Sequence, residues 1–192
     1  MSAIILASRS PRRRVLLDML EIEHEVDPSG IPEHRQPEET PQAFARRMAR
    51  SKAMDRVASH PDRWILGADT VVVIGEEILG KPDSAREAER MLLRLSGRRH
   101  HVVTALALVR NATVLEGVDE TAVWFKTLDE ASIQAYVSTG EPLDKAGAYG
   151  IQGKGAVLVD RIEGDYFGVM GLSLRVLTDL MHRAGIAYRF TR

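Results

Sequence analysis

The chain contains 192 residues, 44% of them hydrophobic and 28% charged, which is enough to bury the core of one domain. Its formal net charge of -1 argues against binding to nucleic acid or to membrane surfaces by charge alone, and the absence of cysteine excludes disulfides and thiolate metal sites. No apolar run approaches membrane-spanning length, and the N-terminal run is too short for a signal peptide. We therefore expect a cytoplasmic protein with no nucleic-acid or membrane partner.

The N-terminal stretch predicts a turn suited to phosphate. Residues 3–7 form an apolar run typical of a buried strand, and Ser10 with Pro11 marks the start of a helix over about residues 12–20. A helix start collects free N–H groups and a positive dipole end, and the arginines at positions 12, 13 and 14 add guanidinium groups. Three adjacent arginines cannot share one helical face, so we expect one or two to point inward. A solvated basic turn explains the same residues equally well.

A proline-rich segment and a long helix come next. A short strand at His24–Asp27 precedes residues 28–40, whose composition is typical of a surface loop, although a carboxylate such as Glu33 can lie over a cleft. The next helix is predicted from Thr40 to about Ser59. Lys52 lies beside its apolar stripe, and we expect it to extend into water unless a phosphate site covers the helix.

The apolar run from Trp64 to Ile74 predicts a long buried strand with Asp69 and Thr70 in its middle. A buried ionised carboxylate costs free energy unless a cation, a metal or a hydrogen-bond donor compensates it, and active sites exploit such placement. Lys81, between Gly80 and Pro82, is the nearest candidate cation in the sequence. For Asp69 taken alone, a carboxylate that caps a neighbouring loop is the better explanation.

The second half of the chain predicts further alternation of helices and strands. A capping box of Ser84 and Glu87 starts a helix. The remaining predicted elements are strands at His100–Val109 and Val114–Phe125, a helix from Asp129 to Val137, a strand at Ala156–Ile162 and a helix from Ser173 to Ala184. The adjacent histidines 100 and 101 would point to opposite faces of their strand, which argues against a two-histidine metal site.

A glycine-rich stretch from Asp144 to Gly155 indicates backbone that runs close to a ligand or to another strand. It matches neither the Walker A pattern nor the dinucleotide fingerprint. Its lysines, Lys145 and Lys154, face either a ligand or solvent, and the sequence does not decide between the two. Together with Arg12, Arg13, Lys52, Lys81, Glu33 and Asp69, they are the groups that phosphoryl chemistry uses.

Segments in the same order along nearly the whole chain resemble the Maf family of nucleoside triphosphate pyrophosphatases. They are residues 6–13, 52–53, 66–71, 80–82, 95–97 and 144–153. The resemblance implies a three-layer α/β/α fold with a mixed, curved central sheet and a deep cleft, as in the inosine triphosphatases, within one domain over residues 1–192 that has room for two lobes. It also implies hydrolysis of a nucleoside triphosphate to the monophosphate and pyrophosphate, a divalent metal cofactor, Mg²⁺ or Mn²⁺, a cytoplasmic location and a homodimer.

The resemblance also assigns roles to single residues. Asp69 corresponds to the proton acceptor that activates water, and Glu33 and Asp69 to the metal ligands. Phosphate oxygens would be held by the remaining matched residues, Ser8, Ser10, Arg13, Lys52 and Lys81. Pro32 departs from the family pattern, in which an acid is common before Glu33, and Arg9 stands where a small residue is typical.

Three positions, Arg12, Thr70 and Gln152, resemble the family branch that acts on dTTP and UTP. A Gln amide can accept a hydrogen bond from N3–H of uracil or thymine and donate to a neighbouring carbonyl, whereas guanine donors favour a carboxylate. The alternatives are a 7-methyl-GTP pyrophosphatase of the same family and a nucleotide-binding regulator of cell division with little turnover. Modified pyrimidine nucleotides are further candidate substrates.

Overall fold

The computed structural model describes residues 3–190, so the ends of the predicted domain, residues 1–2 and 191–192, lie outside the described residues. Within the described part the strands are β1 (Ile4–Leu6), β2 (His24–Val26), β3 (Ile65–Ile74), β4 (Glu77–Leu79), β5 (Arg99–Arg110), β6 (Thr113–Phe125) and β7 (Val159–Glu163). The α-helices there are α1 (Pro11–Met19), α2 (Pro41–Met54), α3 (Ala85–Leu95), α4 (Glu130–Ser138), α5 (Tyr166–Met170) and α6 (Leu174–Arg183).

The strands form a mixed sheet in the order β2-β1-β3-β5-β6-β7, with β4 paired to β3. β1 is parallel to β2 and to β3, whereas β4 is antiparallel to β3 and β7 is antiparallel to β6. Helices are interspersed with the strands along the chain, although β4 directly follows β3 and β6 directly follows β5. The predicted α/β class with a mixed central sheet flanked by helices is therefore confirmed; the deep cleft that came with it stays a prediction.

The residues group into two compact units. The first unit comprises Met1–Asp69, Thr104–Asp119 and Gly171–Arg192, and the second comprises Thr70–Val103 and Glu120–Met170. β3, β5 and β6 each contribute residues to both units. The single domain over residues 1–192 stays a prediction.

In the first unit, α2 packs against β3 at very short range. The face of α2 that meets the strand is made of small side chains, Ala45, Ala49 and Ala53, all fully buried. On β3, a Cβ added to Gly67 would lie 2.0 Å from the carbonyl oxygen of Ala49 and 2.8 Å from the amide nitrogen of Ala53. Residues two apart on a strand share a face, so Asp69 points in the same direction as Gly67.

Most helix starts agree with the sequence. Thr40 accepts a hydrogen bond from the amide of Ala43, Ser84 from that of Glu87, and Ser173 from that of Val176. These caps satisfy N–H groups that a helix leaves without intrahelical partners. In the Ser84 box the reciprocal bond shifts by one residue, because the Glu87 carboxylate accepts from the amide of Asp83.

Several boundaries predicted from the sequence are wrong. α2 ends at Met54 and not near Ser59, because i→i-3 bonds such as that from Arg56 N to Ala53 O tighten the chain into a turn before a 3-10 helix at Val57–Ser59. The strand predicted from Ala156 begins only at Val159, because a 3-10 helix at Gly153–Leu158 takes its first residues. β4 and the five-residue helix α5 were not predicted, since both are too short to show a period.

The second unit contains a cluster of three edge-to-face rings. The ring centroids of His100 and Phe125 lie 5.0 Å apart, those of Phe125 and Tyr149 4.7 Å apart, and those of His100 and Tyr149 5.4 Å apart. The Tyr149 hydroxyl lies 2.8 Å from Nε2 of His100. Burial lowers the pKa of His100 to about 4 and raises the pKa of Tyr149. Both groups are therefore neutral at pH 7, and the pair is part of the buried core of the second unit.

We expect Gly67→Ala to destabilise the first unit by about 3 kcal/mol, which is the upper end of the usual cost of overpacking. The new methyl group would overlap the backbone of α2, which cannot move away by a change of rotamer. The free energy of unfolding in urea measures this. Gly30→Ala is the control, since a Cβ there meets nothing within 4 Å. Equal stability of the two variants would show that α2 can move away from β3 at little cost.

Stability should fall as the pH falls from 6.5 to about 4, because the unfolded chain protonates His100 in that range and the folded chain does not. A depression of this size corresponds to about 3 kcal/mol at full effect. The difference in unfolding free energy between wild type and His100→Phe should therefore change across this window, with His182→Gln, at an exposed position of α6, as the control. A pH-independent difference would contradict the prediction.

Candidate active site

The ammonium group of Lys52 lies between two carboxylates in the first unit. Its Nζ is 2.7 Å from Oδ1 of Asp69 and 2.7 Å from Oε1 of Glu33. Asp69 is 4% exposed and Lys52 9% exposed, whereas the side chain of Glu33 is 51% exposed. The structure thus brings together three of the predicted site residues. The cation that bonds to Asp69 is Lys52. Lys81, the nearest lysine in the sequence, belongs to the second unit, and its part in the site stays a prediction.

Asp69 sits in an electrostatic balance suited to proton transfer. Burial raises the pKa of its carboxyl, the charge and hydrogen bond of Lys52 and the charge of Arg13 act in the opposite direction, and the charge of Glu33 raises the pKa further. The net direction is upward from the ordinary value of an aspartate. A buried carboxylate with a raised pKa beside a specific cation is a frequent property of general bases.

Of the three adjacent arginines, Arg13 points inward, Arg12 is partly buried and Arg14 is exposed, as predicted. The guanidinium of Arg13 donates from Nη1 to the Ser8 hydroxyl at 2.9 Å and from Nε to the Gly171 carbonyl at 2.8 Å. Burial lowers the pKa of Arg13, while the negative charges of Asp69 and Glu33 raise it. An arginine stays protonated in proteins, so this buried cation adds to the positive charge around the carboxylates.

The turn before α1 is organised by the Ser8 hydroxyl. Besides the bond from Arg13, it accepts one from the amide of Ser10 at 3.2 Å. With both lone pairs engaged, its remaining capacity is to donate its proton. Ser10 occupies the predicted N-cap position with Pro11 at the first helical position, but its own side chain makes no capping bond.

The other predicted residues, Thr70, Lys81 and Gln152, belong to the second unit. Thr70 follows Asp69 in β3 and is partly buried; Lys81 is exposed two residues after β4. The carbonyl of Gly80, next to Lys81, accepts a hydrogen bond from the amide of Gly147 at 3.0 Å. Gln152 is exposed at the start of the 3-10 helix Gly153–Leu158.

A carboxylate clamps the glycine-rich segment around Gln152. Glu141 accepts from the amides of Lys154 and Gly155 and from the Tyr136 hydroxyl, each at 3.0 Å. The same hydroxyl accepts from the amide of Gly150 at 3.2 Å. Although burial raises the pKa of Glu141, these bonds outweigh it and the net direction is downward. Glu141 and Tyr136 thus fix both ends of the turn that carries Gln152.

The two lysines that the sequence left open differ in the structure. Lys145 donates to the Glu141 carbonyl at 2.5 Å and to the Asp144 carboxylate at 2.6 Å, so its ammonium group binds within its own segment. The side chain of Lys154 is exposed, and its backbone amide takes part in the Glu141 clamp.

The family model for Maf-like proteins matches residues 3–184. The chain belongs to the Maf family. A dTTP/UTP pyrophosphatase of Moorella thermoacetica is 50% identical over 97% of this chain and 97% of the relative. Proteins of the same name from Desulfotalea psychrophila and Myxococcus xanthus are 48% and 47% identical, over 92% and 95% of this chain and 91% and 93% of those proteins.

The donor set of this Maf protein fits a hard divalent cation. Glu33 and Asp69 offer oxygen ligands, and both already bind one cationic group, the Lys52 ammonium. Within residues 3–190 no cluster of three or more acidic or histidine side chains is arranged to hold a metal. Two carboxylates suit Mg²⁺, which commonly takes one or two protein carboxylates and fills its remaining positions with water and substrate phosphate.

Sequence reasoning about the Maf chain missed Arg47, Glu39 and Asp55, which hold the segment around Glu33. Arg47 forms two bonds of 2.7 Å to Glu39, and Asp55 accepts from the Ser29 hydroxyl at 2.8 Å. The available signal was weak: the spacing places Arg47 and Lys52 on one helix, but it does not indicate which residues they bind.

None of the helices in the described part of the chain combines the length and apolar character needed to cross a membrane.

We expect Glu141→Gln to loosen the glycine-rich segment, because a carboxamide replaces one acceptor with a donor that faces a backbone N–H. A hydrogen bond to a charged acceptor is worth about 1.5–3 kcal/mol, so the amides of Lys154 and Gly155 should exchange roughly tenfold faster or more. Hydrogen exchange read residue by residue checks this, with Glu130→Gln in the first turn of α4 as the control. Unchanged exchange would mean that the clamp is redundant.

Proposed function

We propose that this Maf protein hydrolyses dTTP and UTP to the nucleoside monophosphate and pyrophosphate. The proposal is supported by full-length relatives named dTTP/UTP pyrophosphatase at 47–50% identity. The observation that carries the chemistry is the Lys52 ammonium between the carboxylates of Asp69 and Glu33, beside the buried guanidinium of Arg13. A 7-methyl-GTP pyrophosphatase and a regulator with little turnover are the alternatives that these names disfavour.

In the proposed reaction a water molecule attacks the α-phosphorus, and the bond from the α-phosphorus to the bridging oxygen of the pyrophosphate breaks. Asp69 accepts the proton of the attacking water; Lys52 and Arg13 favour the carboxylate form that this requires. The same two cations, with the Ser8 hydroxyl, neutralise and orient phosphate oxygens. Lys81 is proposed to take part in phosphate binding as well.

Glu33 and Asp69 would hold the divalent cation, Mg²⁺ or Mn²⁺. When bound, such an ion neutralises phosphate charge and lowers the pKa of its water. The Lys52 ammonium shows that the two carboxylates can share one positive charge. Binding of a doubly charged ion would let Lys52 turn from the carboxylates toward phosphate oxygens.

Base selection is proposed for Gln152 together with Arg12 and Thr70. The amide of Gln152 can pair with N3–H and an adjacent carbonyl of uracil or thymine, and an exposed side chain on a clamped turn suits that role. Modified pyrimidine nucleotides with the same edge would be accepted too. A homodimer in the cytoplasm is the proposed state of the protein.

The test is pyrophosphate release from a panel of triphosphates with Mg²⁺ or Mn²⁺. We expect dTTP and UTP to be preferred over CTP, GTP and 7-methyl-GTP, and Asp69→Asn to lower kcat by about 10²–10⁴, the usual contribution of a general base. Asp160→Asn, exposed in β7, is the matched control. Preference for 7-methyl-GTP would refute the proposed recognition of the nucleobase by Gln152. Full activity of Asp69→Asn would show that Asp69 is not the general base.

A further inference from the structure

Glu33 differs from Lys52 and Asp69, its partners in the ion-pair cluster, because no regular element holds it. It lies in a segment, residues 27–40, that contains neither helix nor strand. Its side chain is half exposed, so burial does not fix its position either. An exposed carboxylate on an irregular segment samples many positions unless the backbone on both sides is anchored.

The anchor on the C-terminal side of Glu33 is Arg47 of α2. Its Nε and Nη2 donate to the two carboxylate oxygens of Glu39 at 2.7 Å each, and Nη2 also donates to the carbonyl of His34 at 2.9 Å. His34 is the next residue after Glu33, so the guanidinium binds the peptide between His34 and Arg35, one residue beyond the carboxylate. Two parallel bonds between a guanidinium and a carboxylate fix direction as well as distance.

The Glu39 carboxylate extends this anchor into the segment. Its side chain is only 9% exposed, and it accepts a further bond from the amide of Gln36 at 3.1 Å. The hydrogen bond from Arg47 lowers the pKa of Glu39, so the carboxylate stays ionised well below neutral pH. Both groups of the pair are therefore charged at neutral pH.

A second anchor holds the N-terminal side. The hydroxyl of Ser29 donates to Asp55 at 2.8 Å and accepts from the amide of Ile31 at 3.3 Å. Asp55 is the residue that caps the C-terminus of α2. Both anchors therefore stand on α2 or its cap, the same helix that carries Lys52.

We infer that Arg47 is a positioning residue, which binds the segment around Glu33 to α2 and so keeps the Glu33 carboxylate against Lys52. Its hydrogen bonds go to Glu39, the His34 carbonyl and the sulfur of Met48, and it acts on Glu33 through the first two. This inference rests on the proposed function in one respect only, since it takes Glu33 to act in catalysis. Positioning partners of this kind typically contribute 10- to 100-fold to metal affinity or activity.

The direct test is hydrogen exchange of the protein alone. Arg47→Met keeps the apolar stem of the side chain and removes its five N–H donors, so the amides of residues 31–39 should exchange faster while the rest of α2 is unchanged. Glu39→Gln should give a smaller effect in the same residues. Arg47→Lys should not restore protection, because an ammonium group cannot donate in the paired geometry of a guanidinium. Unchanged exchange in Arg47→Met would overturn the inference.

The kinetic test is a double-mutant cycle with Glu33. Arg47→Met should lower kcat/KM by roughly 10- to 100-fold and shift the Mg²⁺ dependence to higher concentration. In a Glu33→Gln background it should cost nothing more, because the carboxylate that it positions is gone. Additive losses would indicate a merely structural role and overturn the inference.

The controls separate this inference from the proposed function. Arg94→Met removes another two-bond pair, to Glu77 at 2.8 and 2.6 Å, and should leave both readouts unchanged. If wild type releases no pyrophosphate from dTTP or UTP, the proposed function fails. The hydrogen-exchange experiment would still test whether Arg47 anchors the segment around Glu33. If wild type is active and the cycle is additive, only the role of Arg47 fails.

Discussion

An ammonium group held between two carboxylates is the interaction on which the first unit depends. Transfer of such charges from water costs several kcal/mol each, and pairing recovers this only when the geometry is close. Here both distances to Lys52 are 2.7 Å, and Arg13 adds a second cation whose charge acts on Asp69. Loss of Lys52 would leave the buried Asp69 carboxylate without its hydrogen-bonded cation, so the strand and the helix that carry the two residues must stay at a fixed separation.

Small residues set that separation. The absence of a side chain at Gly67 and the short ones at Ala49 and Ala53 let α2 and β3 approach until backbone meets backbone. Asp69 and Lys52 are then placed by regular elements, whose geometry varies little. Glu33, the third member of this cluster, lies on an irregular segment, which the bonds of that segment to Arg47 and Asp55 hold in position.

The sequence predicts local features better than contacts between residues that are far apart in the chain. Strands β1, β3, β5 and β6 follow from apolar runs, and the caps at Thr40, Ser84 and Ser173 from local chemistry. The pairing of Lys52 with Asp69 could not be read in this way, because a helical period shows which face is buried and not which strand it meets. The sequence predicts that Lys52 extends into water unless a phosphate site covers its helix, and it indicates Lys81 as the candidate cation for Asp69.

Local patterns failed for a second reason in the glycine-rich segment. The run from Ala156 reads as a strand, yet Gly155 packs so closely on the Gly150 carbonyl and the Tyr136 hydroxyl that the chain turns as a 3-10 helix instead. A glycine in the sequence indicates that the backbone is closely packed there, but it does not indicate which residue it packs against. The family resemblance implies the roles of the site residues, whereas the bonds of Glu141 and Arg47 are visible only in the folded structure.

The bond from Arg13 to the Gly171 carbonyl joins two parts of the chain that are 158 positions apart. During synthesis, Arg13 leaves the ribosome early, but its acceptor exists only after residue 171 has been added. A chain that stops short of this point would carry Asp69 and Lys52 but would lack the carbonyl that accepts from Nε of Arg13. This contact therefore forms only late in translation.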